Sequence, residues 1–304
     1  EQIQFAGVRG KGLLTFFTMP FTLLRACWQS VQVLRRVKPH VVLGLGGYIS
    51  FPAGLMAALT GHKLVVHEQN SVAGMANKVL ALFAQSVLTT FPHVLKNAEW
   101  IGNPLREGFV KQARPTERLG KRHGPLQLLV VGGSLGAQAL NTVVPQALAL
   151  MSEFRRPVVI HQSGAKQIDA LRAAYEEADV QATLTPFIDD TAQAFANADV
   201  VIARAGASTV TELAAVGVAT IYVPFPHAVD DHQTTNAKFV VDAGGGWLIP
   251  QAELTAQGLA DQLQALTREK LVEVAEKAFA MRKTDATEKT VAICEQLASQ
   301  GVVA

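Results

Sequence analysis

The sequence predicts an α/β protein built from two Rossmann-like, doubly wound domains that face a cleft. Short β-branched runs alternate with longer helical patterns in two successive series, and this order is typical of parallel sheets with helices on both faces. The length of 304 residues fits two domains of about 100–200 residues each. With 49% hydrophobic and 17% charged residues, the chain can fill two cores, which excludes intrinsic disorder.

The two series of strands flank a segment of different composition. The first series is predicted at residues 41–43, 64–66, 86–88 and 100–101, with helices near 53–59 and 75–83. The second series is predicted at residues 128–131, 158–161, 182–184, 200–203 and 220–223. These assignments follow from apolar periodicity and β-branched content. Residues 112–125 are rich in Arg, Lys, Gly and Pro and predict a linker between the domains.

Cysteine content and hydropathy exclude several classes of protein. Cys27 and Cys294 lie at opposite ends of the chain without metal-ligand spacing, which argues against a disulfide framework or a zinc site. We predict both as core residues of a protein in a reducing compartment. The apolar stretch 13–24 is interrupted by Thr and Pro and is shorter than the ~20 residues of a spanning helix. We therefore expect no membrane span and no signal peptide.

The net charge of +2 conceals an asymmetry along the chain. Residues 1–106 carry ten Lys and Arg against three acidic residues, whereas the remainder carries 17 against 22. Between Arg9 and Lys38 the apolar block 13–24 is flanked by basic residues, and no acidic residue is present. A helix packed into the first core is one interpretation. The composition favours contact with an anionic membrane surface.

Two predicted strands run into glycine pairs. Residues 44–50 read Gly-Leu-Gly-Gly-Tyr-Ile-Ser, and residues 132–137 read Gly-Gly-Ser-Leu-Gly-Ala. Glycines admit a ligand close to the backbone, and a following helix start supplies partial positive charge, which suits a diphosphate. A tight βα turn without a ligand is the alternative for each. Neither run has the spacing G-x-G-x-x-G, and the next strand of the second series ends in His161-Gln162 rather than an acid, so NAD is disfavoured.

A third candidate phosphate site follows the predicted strand 200–203. Residues 204–212 read Arg-Ala-Gly-Ala-Ser-Thr-Val-Thr-Glu, and the amides of a helix start there could hold a phosphate. Glu212, one turn into the helix, could accept hydrogen bonds from a ribose diol. Thr209 and Glu212 also have the spacing of a capping box, which would satisfy the helix by itself. The residues alone leave both interpretations open.

Polar clusters follow two further predicted strands. Asp230-Asp231-His232-Gln233 and Asn236 come after strand 220–223, and His67-Glu68-Gln69-Asn70 comes after strand 64–66. Open α/β sheets bind ligands at the carboxyl ends of their strands, so we predict a binding site there. A hydrogen-bonded structural histidine is the alternative for His67. A metal at residues 230–232 is a minor alternative, because sugar recognition uses the same residue types.

Together these motifs resemble those of glycosyltransferase family 28, the N-acetylglucosaminyltransferases of peptidoglycan synthesis. Each motif is weak alone, but their order and spacing cover essentially the whole chain: 43–48, 67–70, 102–106, 132–137, 204–212, 230–236 and 285–288. The resemblance implies a GT-B fold, in which residues 1–106 with 286–304 form the N-terminal acceptor and membrane-side domain. Residues 107–285 would form the C-terminal UDP-GlcNAc-binding domain.

The same resemblance implies an activity and its partners. The enzyme would be an inverting glycosyltransferase that moves GlcNAc from UDP-GlcNAc to the MurNAc 4-hydroxyl of undecaprenyl-pyrophosphoryl-MurNAc-pentapeptide (lipid I), which gives lipid II. It would lie at the cytoplasmic face of the anionic bacterial inner membrane as a peripheral protein. We expect no cofactor, no metal and no nucleic-acid partner.

The resemblance further assigns candidate substrate-binding residues. It implies that the backbone of Ile188 recognises uracil and that Glu212 binds the ribose. Ser134, with Ser208 and Thr209, would hold the diphosphate. Gln233 and Asn70 would contact the sugar, and Arg106 the nucleotide. The other cleft residues, without an assigned role, are Tyr48, His67, Glu68, Asn77, Asn141 and Arg204.

The general base is assigned by comparison with the start of the family's sequences. Members of the family begin with a strand and a Gly-Gly-Thr-Gly-Gly-His loop, whose histidine is a leading candidate for the base, and this sequence contains no such motif. Residues 1–5 resemble a strand already under way, so we expect a further segment upstream of Glu1. Within the present chain, His67 and Glu68 are the candidate catalytic residues.

Two other functions remain open from the sequence. A UDP-GlcNAc 2-epimerase-like isomerase would bind the same nucleotide sugar without a lipid acceptor, and the basic apolar segment from Arg9 to Lys38 argues against it. A non-catalytic, membrane-docked scaffold would retain the cleft without turnover.

Overall fold

The computed structural model describes residues 13–133 and 136–300, with the side chains from Met19 onward except that of Val229. The chain divides into two compact units. The N-terminal unit extends to Pro104 and takes up the chain again from Asp285, and the C-terminal unit is Leu105–Thr284. The predicted boundaries at residues 106 and 286 lie within two residues of these divisions.

A four-stranded parallel sheet forms the centre of the N-terminal unit, with the strand order β1-β2-β3-β4. Its strands are β1 (Val41–Gly44), β2 (Lys63–Glu68), β3 (Ser86–Thr89) and β4 (Glu99–Trp100). Three helices precede or connect them: α1 (Leu13–Val37), α2 (Gly47–Leu59) and α3 (Met75–Leu80).

The C-terminal unit contains a six-stranded parallel sheet with the order β10-β9-β8-β5-β6-β7. Its strands are β5 (Gln127–Val131), β6 (Val158–Gln162), β7 (Thr183–Thr185), β8 (Val200–Ala203), β9 (Ala219–Tyr222) and β10 (Gly246–Leu248). Its helices are α4 (Glu107–Val110), α5 (Pro115–Leu119), α6 (Gln138–Ala149), α7 (Ile168–Glu177), α8 (Thr191–Asn197), α9 (Ala207–Val216), α10 (His232–Val241), α11 (Ala256–Ala265) and α12 (Arg268–Ala280).

The strand order of this sheet determines where a ligand binds. The chain passes from β5 through β6 to β7 at one edge, and then returns to β8 on the other side of β5. The direction of the winding therefore reverses between β5 and β8. Ligands of open α/β sheets bind beyond the carboxyl ends of the strands at such a switch point. The glycine turn after β5 and the start of α9 after β8 both lie at this place in the sheet.

The last helix, α13 (Ala286–Ser299), belongs to the N-terminal unit. Because the side chains of β2 alternate between the two faces of the sheet, Val65 packs with Leu88, Ile101 and Ala286 on the face covered by α13. Leu64 and Val66 point to the other face and pack with Leu80 of α3. The return of the chain end to the first unit agrees with the expectation from the family resemblance.

The predicted α/β class with two parallel sheets is confirmed. One edge strand, β10, was not predicted from the sequence, because three residues beside a glycine run carry no periodic signal. The two cysteines are partly exposed rather than core residues, so that prediction was wrong. Cys294 lies beside the Val65 cluster, at its margin.

The predicted linker at residues 112–125 was also wrong. This segment forms α5 inside the C-terminal unit, where Leu119 is fully buried. The guanidinium of Arg118 donates to the carbonyl oxygens of Ala196 at 2.7 Å, Val216 at 2.8 Å and Gly217 at 2.6 Å. Basic residues that suggested a solvated linker thus satisfy the last carbonyl groups of α8 and α9.

Among the described residues, no helix combines the length and the apolar character needed to cross a membrane.

Candidate active site

The glycine turn after β5 is held by the neighbouring strand β6. The amide of Gly133 donates to Oε1 of Gln162 at 3.2 Å, and Nε2 of Gln162 donates back to the carbonyl oxygen of Gly133 at 3.1 Å. Gly136 has a φ of +77°, and a Cβ atom there would lie 2.1 Å from the carbonyl oxygen of Ser163. The turn therefore requires glycine at 136. Ser134, predicted to bind the diphosphate, lies outside the described residues.

The helix α9 begins at Ala207, and its N-cap residue is Gly206, without a side-chain hydrogen bond to the helix. Thr209 is consequently a residue of the first turn rather than the N-cap, so the alternative capping box between Thr209 and Glu212 does not form. The amide of Val210 makes the first helical bond, to Gly206. The preceding amides, of residues 207–209, belong to the helix start, where anions bind. Ser208 and Thr209 thus lie where a diphosphate site was predicted.

Glu212 and Arg106 come together in the C-terminal unit. Oε1 of Glu212 lies 3.9 Å from Nη2 of Arg106, and their side chains are 20% and 69% exposed. Burial raises the pKa of Glu212, and the charge of Arg106 opposes that rise. The guanidinium of Arg106 also lies over the ring of Phe109, 4.9 Å from its centroid. Because Gly206 is the N-cap of α9, the carboxylate of Glu212 has no capping role.

The polar residues after β8 and β9 join two loops of the site. Oε1 of Gln233 accepts hydrogen bonds from the amides of Ala205 at 3.3 Å and Phe225 at 2.9 Å. Arg204 donates to the carbonyl oxygens of Val223 at 3.0 Å and Pro224 at 3.1 Å. Arg204 and Gln233 therefore hold the loop after β9 beside the start of α9.

The remaining predicted residues of this unit lie around the same sheet. Ile188 follows β7, and its carbonyl oxygen is 3.5 Å from the hydroxyl of Thr191. Asn141, on α6, is buried and hydrogen-bonded to His161 and Gln167. Within the described part of the chain, no group of three or more His, Cys, Asp or Glu side chains is arranged to hold a metal ion.

In the N-terminal unit, the buried side chains at the end of β2 organise the turn that follows it. Nε2 of His67 is 2.9 Å from the carbonyl oxygen of Gly102, and Nδ1 is 2.9 Å from Nε2 of Gln69. Because a carbonyl only accepts, Nε2 of His67 carries the hydrogen, and Nδ1 accepts from the Gln69 amide. Burial lowers the pKa of His67. Nδ1 of His67 is already engaged by the Gln69 amide. For His67 to act as a base, this hydrogen bond would have to break so that Nδ1 could accept the proton of the acceptor hydroxyl.

Glu68 stabilises the same turn from the other side. Its carboxylate accepts hydrogen bonds from the amide of Asn70 at 3.0 Å, the amide of Gly74 at 3.2 Å and Nδ2 of Asn77 at 2.8 Å. The side chain of Glu68 is buried. These contacts bring the backbone amide of Asn70 and the side chain of Asn77 to one carboxylate. The assignment of His67 or Glu68 as the base stays a prediction.

The first glycine turn packs against this group. Gly46 and Gly47 have φ of +80° and +75° and lead into α2. A Cβ atom on Gly46 would lie 2.7 Å from Oε1 of Gln69 and 3.2 Å from Nδ2 of Asn77. Tyr48 follows on the first turn of α2 and is half exposed. Gln69 and Gln162, which support the two glycine turns, were not predicted as functional residues. Their signal in the sequence was their place at a strand end, where Gln162 directly follows His161 and Gln69 lies two residues after His67.

The fold and the switch-point site define a class of α/β proteins that bind a nucleotide at the carboxyl ends of a parallel sheet. Residues 127–291 match the C-terminal domain of glycosyltransferase family 28, and residues 1–89 match the N-terminal domain of the same family. The chain belongs to glycosyltransferase family 28.

Known proteins resemble this chain in sequence and in structure. It is 64% identical over 298 residues to the UDP-N-acetylglucosamine--N-acetylmuramyl-(pentapeptide) pyrophosphoryl-undecaprenol N-acetylglucosamine transferase of Polaromonas sp. (strain JS666), which covers 98% of this chain and 77% of that protein. The crystal structure of Acinetobacter baumannii MurG has a TM-score of 0.84 and 37% identity, over 97% of this chain and 84% of that one. A putative UDP-N-acetylglucosamine 2-epimerase from Listeria monocytogenes shares the fold, with a TM-score of 0.66 at 14% identity, over 94% of this chain and 80% of that one.

Proposed function

We propose that this protein transfers N-acetylglucosamine from UDP-N-acetylglucosamine to lipid I and so forms lipid II. The observation that carries the proposal is the 64% identity, over 98% of the chain, to a transferase whose name states this donor and acceptor. The matches to both family 28 domains support it. An epimerase function has weaker support, because the Listeria protein is only 14% identical and shows the fold alone.

The donor is assigned to the C-terminal unit. The amides at the start of α9, with Ser208 and Thr209, would bind the diphosphate, because a helix N-terminus carries partial positive charge. Glu212 would accept hydrogen bonds from the ribose diol, since its side chain is only 20% exposed and has no capping role. Ile188 would recognise uracil through its backbone, and Ser134 would complete the diphosphate site.

The acceptor is assigned to the N-terminal unit. Tyr48 is half exposed on the first turn of α2, and Asn70 lies on the turn that Glu68 stabilises. We propose that His67 and Glu68 act chiefly by holding this turn, because both side chains are buried and engaged by neighbouring groups. Asn70 would then present its amide to the sugar.

The chemistry is a single displacement with inversion at the anomeric carbon. The 4-hydroxyl of the acceptor sugar attacks C1 of the α-linked donor, the bond from C1 to the diphosphate oxygen breaks, and UDP leaves with the electron pair. The hydroxyl proton passes to a general base on the acceptor side. The helix start at α9 would stabilise the charge that develops on the diphosphate.

We also propose that α1 attaches the protein to the cytoplasmic face of an anionic membrane. Phe21, Leu24 and Trp28 recur at helical spacing and are all exposed, whereas Ala26 and Leu34 on the opposite side of α1 are buried. Exposed basic residues lie on the same helix at Arg25, Arg35 and Arg36, and Lys38 follows its last residue. An apolar stripe with basic neighbours fits an anionic lipid surface. The predicted contribution of the segment before Met19 lies outside the described side chains.

The test of the proposed function is a transfer assay with defined substrates. Purified protein is incubated with UDP-[14C]GlcNAc and lipid I in detergent, and lipid-linked disaccharide is separated and counted. Product that depends on lipid I supports the proposal. Conversion of UDP-GlcNAc to its 2-epimer without acceptor would support the isomerase instead. Donor binding without any turnover would indicate a non-catalytic scaffold.

A further inference from the structure

A hydrogen-bonded network of polar side chains, three of them buried, lies behind the glycine turn of the C-terminal unit, and no step of the proposed reaction uses it. Its members are His161 on β6, Asn141 on α6, Tyr175 on α7 and Gln167, the N-cap residue of α7. Nδ1 of His161 is 3.0 Å from the hydroxyl of Tyr175, and Nε2 is 3.1 Å from Oδ1 of Asn141. Nδ2 of Asn141 donates to Oε1 of Gln167 at 2.8 Å.

The hydrogen bonds of this network all run in one direction, from Tyr175 through His161 and Asn141 to Gln167. Because Asn141 donates to Gln167 through its amide nitrogen, its oxygen accepts from Nε2–H of His161. Nδ1 of His161 therefore accepts from the Tyr175 hydroxyl. Burial lowers the pKa of His161 to about 3, so the ring is neutral at physiological pH. Each side chain is thus held in one rotamer by its neighbours.

The hydrogen-bonded network ends at the glycine turn that follows β5. A Cβ atom on Gly136 would lie 2.8 Å from Nε2 of Gln167, so the missing side chain of this glycine lets the turn rest on the Gln167 amide. The next residue of β6, Gln162, brackets Gly133 with two hydrogen bonds. Because successive strand residues point to opposite faces, His161 and Gln162 support the turn from the two faces of the sheet.

Such a network is a costly way to fill a core. His161, Tyr175 and Asn141 are 0%, 3% and 5% exposed, and apolar side chains of similar volume would pack there without desolvating polar groups. A directed hydrogen-bonded network fixes the orientation of its side chains more strictly than apolar packing does. A wrong rotamer of any member would leave buried polar groups unsatisfied.

We propose that Tyr175, His161, Asn141 and Gln167 are positioning residues that set the glycine turn for the diphosphate of the donor. The inference rests on the proposed function, in which this turn contacts the donor. Asn141 then acts through Gln167 and Gly136 rather than by touching the substrate.

The experiment compares three variants with the unmodified chain. Tyr175→Phe removes the first donor of the network. Gln167→Glu retains the acceptor for Asn141 but replaces the amide that faces Gly136, and Gln167 is partly exposed, so this variant serves if Tyr175→Phe does not fold. Tyr222→Phe is the matched control, since Tyr222 is another fully buried tyrosine of the same unit and lies outside the network.

Two readouts are measured for each variant. We expect Tyr175→Phe and Gln167→Glu to raise the KM for UDP-GlcNAc and the Kd for UDP about tenfold, with the KM for lipid I unchanged. The amide exchange of Gly133 and Gly136, followed by NMR, should accelerate about tenfold. Tyr222→Phe should change neither readout, whatever its effect on melting temperature.

The outcomes separate this inference from the proposed function. Unchanged donor KM and unchanged exchange in both network variants would overturn the positioning role, as would faster exchange with unchanged donor affinity. A fall in melting temperature alone would assign the network to stability and would likewise overturn the role. Failure of the unmodified protein to bind UDP-GlcNAc or to form product would contradict the proposed function itself, while the exchange readout would still report on the network.

Discussion

Glu212 on α9 faces Arg106, which precedes α4, with 3.9 Å between Oε1 and Nη2. The two residues are distant in sequence, and both were predicted to bind the nucleotide. Their pairing places a positive charge beside a carboxylate that burial alone would shift toward the neutral form. An anionic Glu212 accepts hydrogen bonds from a ribose diol better than a protonated one.

Replacing Glu212 by Gln tests its role in binding. The variant retains the shape of the side chain but loses a charge-assisted hydrogen bond worth roughly 1.5–3 kcal/mol, so UDP affinity should fall about 10- to 100-fold. Melting temperature should change little, because Gly206 is the N-cap of α9. Calorimetric titration with UDP measures the effect. Glu276→Gln is the control, since Glu276 pairs with Arg114 and the Thr116 amide. Unchanged UDP affinity with lower stability would contradict the ribose assignment.

The pH dependence of donor binding should report the Arg106–Glu212 pair. Burial raises the pKa of Glu212 and Arg106 lowers it, so Arg106→Gln should leave the pKa higher than in the unmodified protein. The Glu212 carboxylate is protonated as pH falls through this pKa. The decrease of UDP affinity at low pH, the acid limb of the profile, should therefore occur at higher pH in Arg106→Gln. Arg114→Gln, which removes a positive charge elsewhere in the same unit, should leave the limb in place. If UDP affinity falls at the same pH in Arg106→Gln as in the unmodified protein, Arg106 does not control the protonation of Glu212 in donor binding.

The role of His67 can be separated from general-base catalysis. If His67 mainly holds the turn after β2, His67→Gln should lower kcat less than about tenfold and leave the acid limb of the pH–rate profile intact, since a general base typically contributes 10²–10⁴-fold. His123→Gln, on the surface of the other unit, is the control. A loss of 10²-fold or more, together with disappearance of the limb, would assign His67 as the base.

Membrane attachment should depend on the exposed stripe of α1. Replacing Phe21 and Trp28, which are 75% and 62% exposed, with Ser should reduce sedimentation with anionic vesicles. Binding should also weaken at high salt, because basic residues near an anionic surface contribute ~1 kcal/mol each and salt screens them. Phe154→Ser is the matched control, as Phe154 is 99% exposed in the C-terminal unit. Equal binding to neutral vesicles at every salt concentration would remove the electrostatic part of the proposal.

The buried carboxylate of Asp199 should stabilise the C-terminal unit. It is fully buried and lies 3.0 Å from Arg122, 3.2 Å from Arg268 and 2.9 Å from the amide of Gln127. Asp199→Ala leaves two guanidinium groups without their counter-charge and should cost about 3–5 kcal/mol. Urea denaturation measures this loss. Asp169→Ala, which removes an exposed partner of Arg172, should leave the midpoint unchanged. Similar midpoints for the two variants would show that the buried cluster contributes little.

Much of the fold and of the site was determined by local sequence pattern. The β-branched runs predicted the strands because a parallel strand is buried on both faces, and the glycine pairs marked turns that only glycine tolerates, as Gly136 shows. The order of the motifs sufficed to indicate the family. The strand and turn signals arise from residues close together in the chain, and the family signal adds only the order of such local motifs.

Helix boundaries and contacts between distant residues were decided only by the tertiary structure. Whether Thr209 caps α9 depended on where the helix begins, and the structure puts Gly206 at that place. Arg118, in the predicted linker, donates hydrogen bonds to carbonyl groups at the ends of two later helices. The buried surroundings of His67 depend on Gly102, which follows two further strands. The physical reason is that burial and charge pairing are set by the packing of whole elements, which periodicity within one segment does not contain.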